Sequence, residues 1–426
     1  MFRLSRKMSL FPQSFEDETV YAYAVSELER LLKLSGSSVQ RKGSSGQTRK
    51  FQLTLVNEGS KPNDENPNLS GIKWDGYRLT VGKNRIVITA RESRGILYGV
   101  YELAERLGFV FLKPGEEGEC RPLASPSGLT EGVFTFNPRF PHRGIYAHGL
   151  SEANAEEWLR FFAKLKLNAV GVAEKYLGLA RKFGFRCEVG GHGLTELIPR
   201  QLFQEKPEIF RMSQPEDFFG KRQADYNACL TNPEAGRIIK QAYKEKLRKH
   251  SGVYALHAWP EDLPGGGWCL CSRCRSLSPS DQALLAVRYL GEAVEEEQSP
   301  VRVPMLVYHD TIPAPSLMKP HAKSFLLFAP RERCYGHALN DPECRRNRFY
   351  LNSLQAWSEL YQDIPDAHTF EYYLDQVLFR GMYPFLPEVI LKDMMVYESC
   401  GIKSHMVLQV GGVSLAPEYN LLLFAR

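Results

Sequence analysis

From about residue 140 to residue 412 the chain keeps one rhythm: a short, nearly continuous apolar run, then a longer segment with apolar side chains at helical spacing. The runs HRGIYAHGL, LNAVGVAE, FRCEVGGHG, GVYALHAWPED, VRVPMLVYHD, SFLLFAPR, HTFEYYLD and IKSHMVLQVGG read as strands covered on both faces. Between most of them lie amphipathic segments such as NAEEWLRFFAKLK, NPEAGRIIKQAYKEKLRKH, DQALLAVRYLGEAVEEE, RNRFYLNSLQAWSELYQD and LPEVILKDMMVYESCG. Eight βα repeats predict a TIM (β/α)8 barrel whose final helix, since the chain stops soon after the eighth run, is expected to be short, absent or removed. The insertion QLFQEKPEIFRMSQPEDFFGKRQADYNACL then becomes an elaborated loop over the barrel mouth.

The earlier part of the chain reads differently. EDETVYAYAVSELERLLKL has helical spacing, and the polar loop SGSSVQRKGSSGQTRK follows it. FQLTLVNEG alternates like a strand, and GYRLTVG and NRIVITA form a hairpin around a Gly-Lys-Asn turn. RESRGILYGVYELAERLG reads as a helix stopping at Gly108. The Gly-, Pro- and Ser-rich stretch PGEEGECRPLASPSGLTEG predicts a linker. The expected division is a small α/β domain over residues 1–137 and the barrel over residues 138–426.

Charge removes some classes of function. The net charge of +5 comes from 54 basic and 49 acidic residues spread along the chain, so no basic stripe predicts a nucleic-acid partner. MFRLSRKMSLFPQSF lacks the apolar centre of a secretory signal, and no stretch reaches the length of a membrane span, which predicts a cytoplasmic protein with no membrane contact. Of the nine cysteines, Cys120, Cys187, Cys229, Cys269, Cys271 and Cys274 show no spacing of a small disulfide scaffold, and reduced thiols are expected. An aromatic content of 12% is enough to line a pocket for ring-shaped ligands.

In such a barrel, chemistry collects where the strands end, because their βα loops share one mouth. His148 ends run one, Glu174 run two, His192 run three, Glu261 and Asp262 run four, His309 and Asp310 run five, Arg331 run six, Glu371, Tyr373 and Asp375 run seven, and Gln409 run eight. A two-carboxylate hydrolysis needs one acid for the leaving oxygen and a second carboxylate on the other face. Glu261 or Asp262 opposite Glu371 or Asp375 would supply that pair. Alternation groups Glu371 with Tyr373 and Asp375 on one strand face, which looks into the mouth if Phe370 and Tyr372 pack outward. The structural alternative for Glu371 is a buried carboxylate bonded to a His or Arg. His148, His192, His257, Trp259, His309, Arg331, Tyr373 and Asp375 are the expected substrate contacts, with Trp259 or Trp268 as an apolar platform for a sugar ring.

The segment CLCSRC places Cys269, Cys271 and Cys274 as C-x-C-x2-C. Three thiolates suit a structural zinc, with Cys334, Cys344 or a histidine as fourth ligand, and unliganded half-buried thiols are the alternative. The expected two-carboxylate chemistry calls for no cofactor. The run Gly265, Gly266, Gly267 lacks the setting of a phosphate loop. A zinc hydrolase built on His192, His257 and His309 has the right ligand type but not the local spacing.

The pattern GYRLTVGKNRIVITARESRGILYGVYELAERLG resembles the small domain that precedes the barrel in β-N-acetylhexosaminidases and α-glucuronidases, and PRFPHRGIYAHG resembles the barrel strand after it. Through GGHGL, KPEIF, NACLTNPE, the acidic residue ahead of C-x-C-x2-C, and FEYYLD, the barrel resembles a bacterial glycosidase-like family of unknown function. The resemblance implies carbohydrate chemistry at the mouth, an acid after strand four matching Glu261 or Asp262, and a nucleophile on strand seven matching Glu371. Hexosaminidases carry an adjacent Asp-Glu pair, and here the order is Glu261-Asp262. For a uronate, Arg143, Arg331 and Arg333 are the candidate partners. The expected function is a glycoside hydrolase, and the competing one a non-catalytic carbohydrate-binding or scaffold barrel.

Overall fold

The computed structural model describes residues 7–12, 18–41, 50–55, 69–121, 128–265, 267–364, 366–382, 384–410 and 418–425. Gly266 of the glycine run and the two glycines after strand eight lie outside them.

Eight parallel strands form the barrel: His142–Ala147, Ala169–Gly171, Arg186–His192, Ala255–Trp259, Val303–Val307, Ser324–Phe328, Ala367–Asp375 and Ser404–Val410. They are called barrel strands one to eight below. Seven neighbouring pairs are laddered, in the order four, three, two, one, eight, seven, six, five. Strands four and five close the ring through a parallel bridge between Ala255 and Arg302. Strands such as ALHAW, VPMLV and SFLLF are buried at every position, as expected of strands with side chains in the barrel on one face and against helices on the other.

Helices pack around the strands, among them Ala155–Lys164, Pro233–Lys249, Pro279–Glu296, Arg345–Leu360 and Pro387–Ser399. The helix Pro279–Glu296 starts from a capping box in which the Ser278 hydroxyl accepts the Asp281 N–H and the Asp281 carboxylate accepts the Ser278 N–H. Proline stands in the first turn of three of these helices, where its missing N–H costs nothing. After strand eight comes the short helix Glu418–Ala425. The insertion after strand three is a set of 3-10 turns and an antiparallel hairpin, Phe210–Met212 with Arg222–Ala228.

Ahead of the barrel, a six-stranded mixed sheet runs in the order Ser38–Arg41, Lys7–Pro12, Lys50–Leu55, Arg85–Ala90, Tyr77–Val81 and Gly132–Phe136. The helices Glu18–Leu34 and Ser93–Arg106 supply apolar side chains to the same core. The last strand, Gly132–Phe136, was not expected: it follows the linker-like stretch and pairs antiparallel with Tyr77–Val81. Sheet and barrel are joined by buried charge. Arg143 at the foot of strand one donates to Asp75 at 2.8 Å, and Asn168 donates to the same carboxylate at 2.8 Å. Burial raises the Asp75 pKa, but the Arg143 guanidinium outweighs it and holds the carboxyl below its ordinary range.

No helix among the described residues is long and apolar enough to cross a membrane.

Candidate functional site

A cavity of about 670 Å³ opens at the C-terminal end of the barrel strands. Its walls are aromatic: Tyr146 from strand one, Trp259 from strand four, Tyr308 after strand five, and Phe370 and Tyr372 from strand seven. Part of the wall is bare backbone at Gly190 and Gly191. Gly190 has φ of +101°, and a Cβ there would stand 2.2 Å from the His257 carbonyl oxygen, so only glycine lets strand three approach strand four this closely.

Of the expected site residues, the catalytic candidate Asp262 and the contacts His148, His192, Trp259, His309, Arg331 and Asp375 all line this cavity. His192 donates from Nδ1 to the Pro260 carbonyl, which can only accept, so its Nε2 is the atom left for a ligand. His309 stands between two carboxylates, with Nε2 3.3 Å from Asp262 Oδ1 and Nδ1 3.0 Å from Glu332 Oε1. Both neighbours can accept, which favours a proton on each ring nitrogen. Burial works against that charge, yet the Glu332 and Asp262 carboxylates prevail and hold the His309 pKa above its ordinary value. The His309 backbone sits at φ of +48°, a left-handed position that histidine tolerates better than most residues and that fixes where the ring points.

Beyond Glu332 the charges continue to alternate. Arg331 Nη1 is 3.8 Å from Glu332, and its Nε donates to Asp375 at 3.1 Å. The result is an ordered row, Asp262, His309, Glu332, Arg331, Asp375, along one side of an aromatic bowl. Glu332→Gln is expected to lower the His309 pKa toward the ordinary value of about 6.5. A histidine NMR titration of wild type and variant checks this. The sign for stability follows: the raised pKa stabilises the fold fully below the ordinary histidine value, and that contribution is lost as pH rises through the raised one.

Four expected residues are elsewhere. Glu371 is fully buried outside the barrel wall, 3.3 Å from Arg333 Nε, and accepts from Tyr335 at 3.1 Å, from the Tyr372 N–H at 3.2 Å and from Tyr397. Tyr373 lies on the same outer side and donates to Asp393 at 2.9 Å. Phe370 and Tyr372, expected outward, are the ones that face the cavity. The physical reason is in the ladder: the register slips between Glu371 and Leu374, three steps on strand seven against two on strand eight, so Asp375 turns inward although it shares parity with Glu371. The opposed pair of Glu371 with Glu261 or Asp262 is therefore not formed.

Glu261 turns toward the insertion, where Thr195 donates to its carboxylate and its own N–H donates to Asn227 Oδ1 at 3.1 Å. His257 lies one layer below the cavity in the barrel interior, with Nε2 2.9 Å from Glu188 Oε2. Glu188 also meets His142 at 3.1 Å, and the two histidines outweigh complete burial and hold its pKa well below the ordinary range. With His257 in that cluster, a three-histidine metal site with His192 and His309 is not assembled. Of the three arginines considered for a uronate, Arg331 reaches the cavity, whereas Arg143 is held by Asp75 and Arg333 by Asp393 and Glu371.

Sequence reasoning missed Tyr146, Tyr308, Glu332, Phe370 and Tyr372. Tyr146 shares parity with His148 on strand one, which was a usable signal. Glu332 sits between Arg331 and Arg333 and reads as part of a solvated charge run.

Among the described residues Cys269, Cys271 and Cys274 meet Cys229 rather than Cys334 or Cys344. Cys334 and Cys344 gather instead around His337. No disulfide joins any of the nine cysteines.

Residues 116–411, well over half the chain, match the family described as "Domain of unknown function (DUF4838)". The chain belongs to the DUF4838 family. Residues 5–103 match the N-terminus of glycosyl hydrolase family 67. No curated protein matches the sequence. Among solved structures, this DUF4838 chain is similar to a GH115 4-O-methyl-α-glucuronidase with specificity for decorated arabinogalactans, at TM-score 0.57 and 14% identity. All of the chain aligns there, spanning 57% of the glucuronidase. It is also similar to a β-N-acetylhexosaminidase from Bacteroides fragilis at TM-score 0.60 and 14% identity, covering 100% of this chain and 87% of that one. A chitobiase from Flavobacterium johnsoniae aligns at TM-score 0.61 and 13% identity, covering 99% of this chain and 66% of that one. At such identity the likeness shows a glycosidase-type fold, a barrel behind an α/β domain.

Proposed function

We propose that the cavity hydrolyses a glycosidic bond of a neutral sugar, with Asp262 and Glu332 as its two carboxylates. One observation carries this reading: the two acids bracket a single imidazole, His309. With an imidazole between them, the two acids are read as the wider, inverting kind of pair rather than as a retaining pair about 5–5.5 Å apart. Asp262, after strand four, is assigned the general acid, drawing from His309 Nε2 the proton that it gives to the leaving oxygen, and Glu332 the base that takes a proton from water. The imidazolium between them holds both side chains in place, and the Arg331–Asp375 pair is left to fix sugar hydroxyls.

Size and lining support the same reading. A cavity of about 670 Å³ suits one or two sugar units, and its aromatic walls suit the apolar faces of pyranose rings. Charge argues for a neutral sugar: three carboxylates stand against one guanidinium and one imidazolium, a field that repels a uronate. The glycosidases of similar fold add the reaction class, and no more.

The test is a panel of chromogenic neutral glycosides and uronides, run with wild type and Glu332→Gln, with the anomeric product followed by NMR. Hydrolysis of a neutral glycoside with inversion, reduced at least about 100-fold in the variant, is expected. Retention, or full turnover by the variant, overturns the pair. A second reading is favoured by the absence of the strand-seven carboxylate Glu371 from the mouth: a carbohydrate-binding barrel without turnover. Sugar binding detected by calorimetry with no hydrolysis anywhere in the panel would select it.

A further inference from the structure

Beside the cavity rim four thiols converge from two separate segments. Cys269, Cys271 and Cys274 follow the glycine run in the loop after strand four, and Cys229 directly follows the hairpin strand Arg222–Ala228. Their sulfurs all lie within 4.8 Å of one another, with Cys229 Sγ 3.7 Å from Cys271 Sγ and 3.8 Å from Cys274 Sγ. All four are buried and share a small core with Met212. A disulfide needs sulfurs about 2.05 Å apart. Four sulfurs about 2.3 Å from a common tetrahedral centre stand about 3.8 Å from each other. The observed spacing is that of four ligands around one ion, with no pair bonded.

We infer that Cys229, Cys269, Cys271 and Cys274 bind one zinc ion whose role is structural. The surroundings fit a metal thiolate. Four thiolates around a dication leave a net negative charge, and Arg222 Nη1 donates to Cys269 Sγ at 3.7 Å. The Met212 N–H donates to the same sulfur at 3.3 Å, and Thr231 Oγ1 lies 3.1 Å from Cys274 Sγ. Such outer contacts orient ligands and offset their charge. The spacing C-x-C-x2-C with a remote fourth cysteine does not match a common iron–sulfur pattern, which favours zinc. With four protein ligands no position is open for water, so the ion does no hydrolysis.

Its work is mechanical. The hairpin places Asn227 where it accepts the Glu261 N–H, and the strand-four loop carries Asp262 to the cavity. On the far side Gln282 ties the same loop to the helix Pro279–Glu296: it accepts the Cys269 N–H and donates to the Cys269 carbonyl, each at 3.2 Å. One ion fastens insertion, loop and helix together. This inference does not depend on the glycosidase reading.

Elemental analysis of the purified full chain, dialysed against metal-free buffer, is expected to give one zinc per chain. Cys229→Ser is expected to lose most of it, while Cys334→Ser keeps it. If Cys229→Ser does not fold, protein expressed in cobalt-supplemented medium provides the second measurement, with the absorption of a tetrahedral tetrathiolate cobalt(II) centre expected in wild type and in Cys334→Ser. Substoichiometric metal with no such cobalt spectrum, stoichiometric iron in place of zinc, or loss of metal in Cys334→Ser with retention in Cys229→Ser would each overturn the assignment.

Discussion

Arg333→Met is expected to destabilise the fold by about 3–5 kcal/mol, the range found when one partner of a buried ion pair is removed. Arg333 is wholly enclosed and is the cation shared by Glu371 and Asp393. Burial already raises the pKa of both carboxyls, and Arg333 is what opposes that rise. Methionine fills much of the volume but leaves two buried acids without a cation. Because the folded-state values are raised, the carboxyls contribute their full stability when protonated and lose it as pH increases through those values. The penalty should therefore be largest at neutral pH and shrink at acidic pH, as the two acids take up protons. Denaturant unfolding at the two conditions measures this. A penalty below about 1 kcal/mol at neutral pH would mean that the network carries no buried charge.

Asp262→Asn is expected to lower turnover of the responsive glycoside 100- to 10,000-fold, the usual contribution of a general acid, with sugar binding retained. The amide keeps the shape and can still meet His309, but it has no proton to give a leaving oxygen. A leaving group that departs readily as an anion should be far less affected than an alkyl glycoside. The ratio of kcat values for an aryl and an alkyl substrate in variant and wild type decides it. Equal losses on both would remove Asp262 from the acid role while leaving the cavity as the place of reaction.

Much of this architecture was legible from residues alone. Runs such as VPMLV and SFLLF are apolar at every position because both strand faces are covered, and segments like NPEAGRIIKQAYKEKLRKH show helical spacing because only one face is. Strand ends could then be read for chemistry, and Asp262, His309, Arg331 and Asp375 reach the cavity. Strand seven misled because parity counting assumes an unbroken ladder. One extra residue between Glu371 and Leu374 leaves no mark in HTFEYYLD, yet it reverses which side chains face inward. Cys229 escaped for another reason: it lies far from C-x-C-x2-C in sequence, and only the folded insertion brings it alongside. Glu332 was hidden by its arginine neighbours, which separate in space, Arg331 to the cavity and Arg333 to the interior.

The ring of strands is laced along seven joins and pinned at a single spot on the eighth, between Ala255 and Arg302. Asp262 follows one of the two strands that meet at this seam and His309 follows the other, so their 3.3 Å contact stitches, at the mouth, the join that lacks a full ladder.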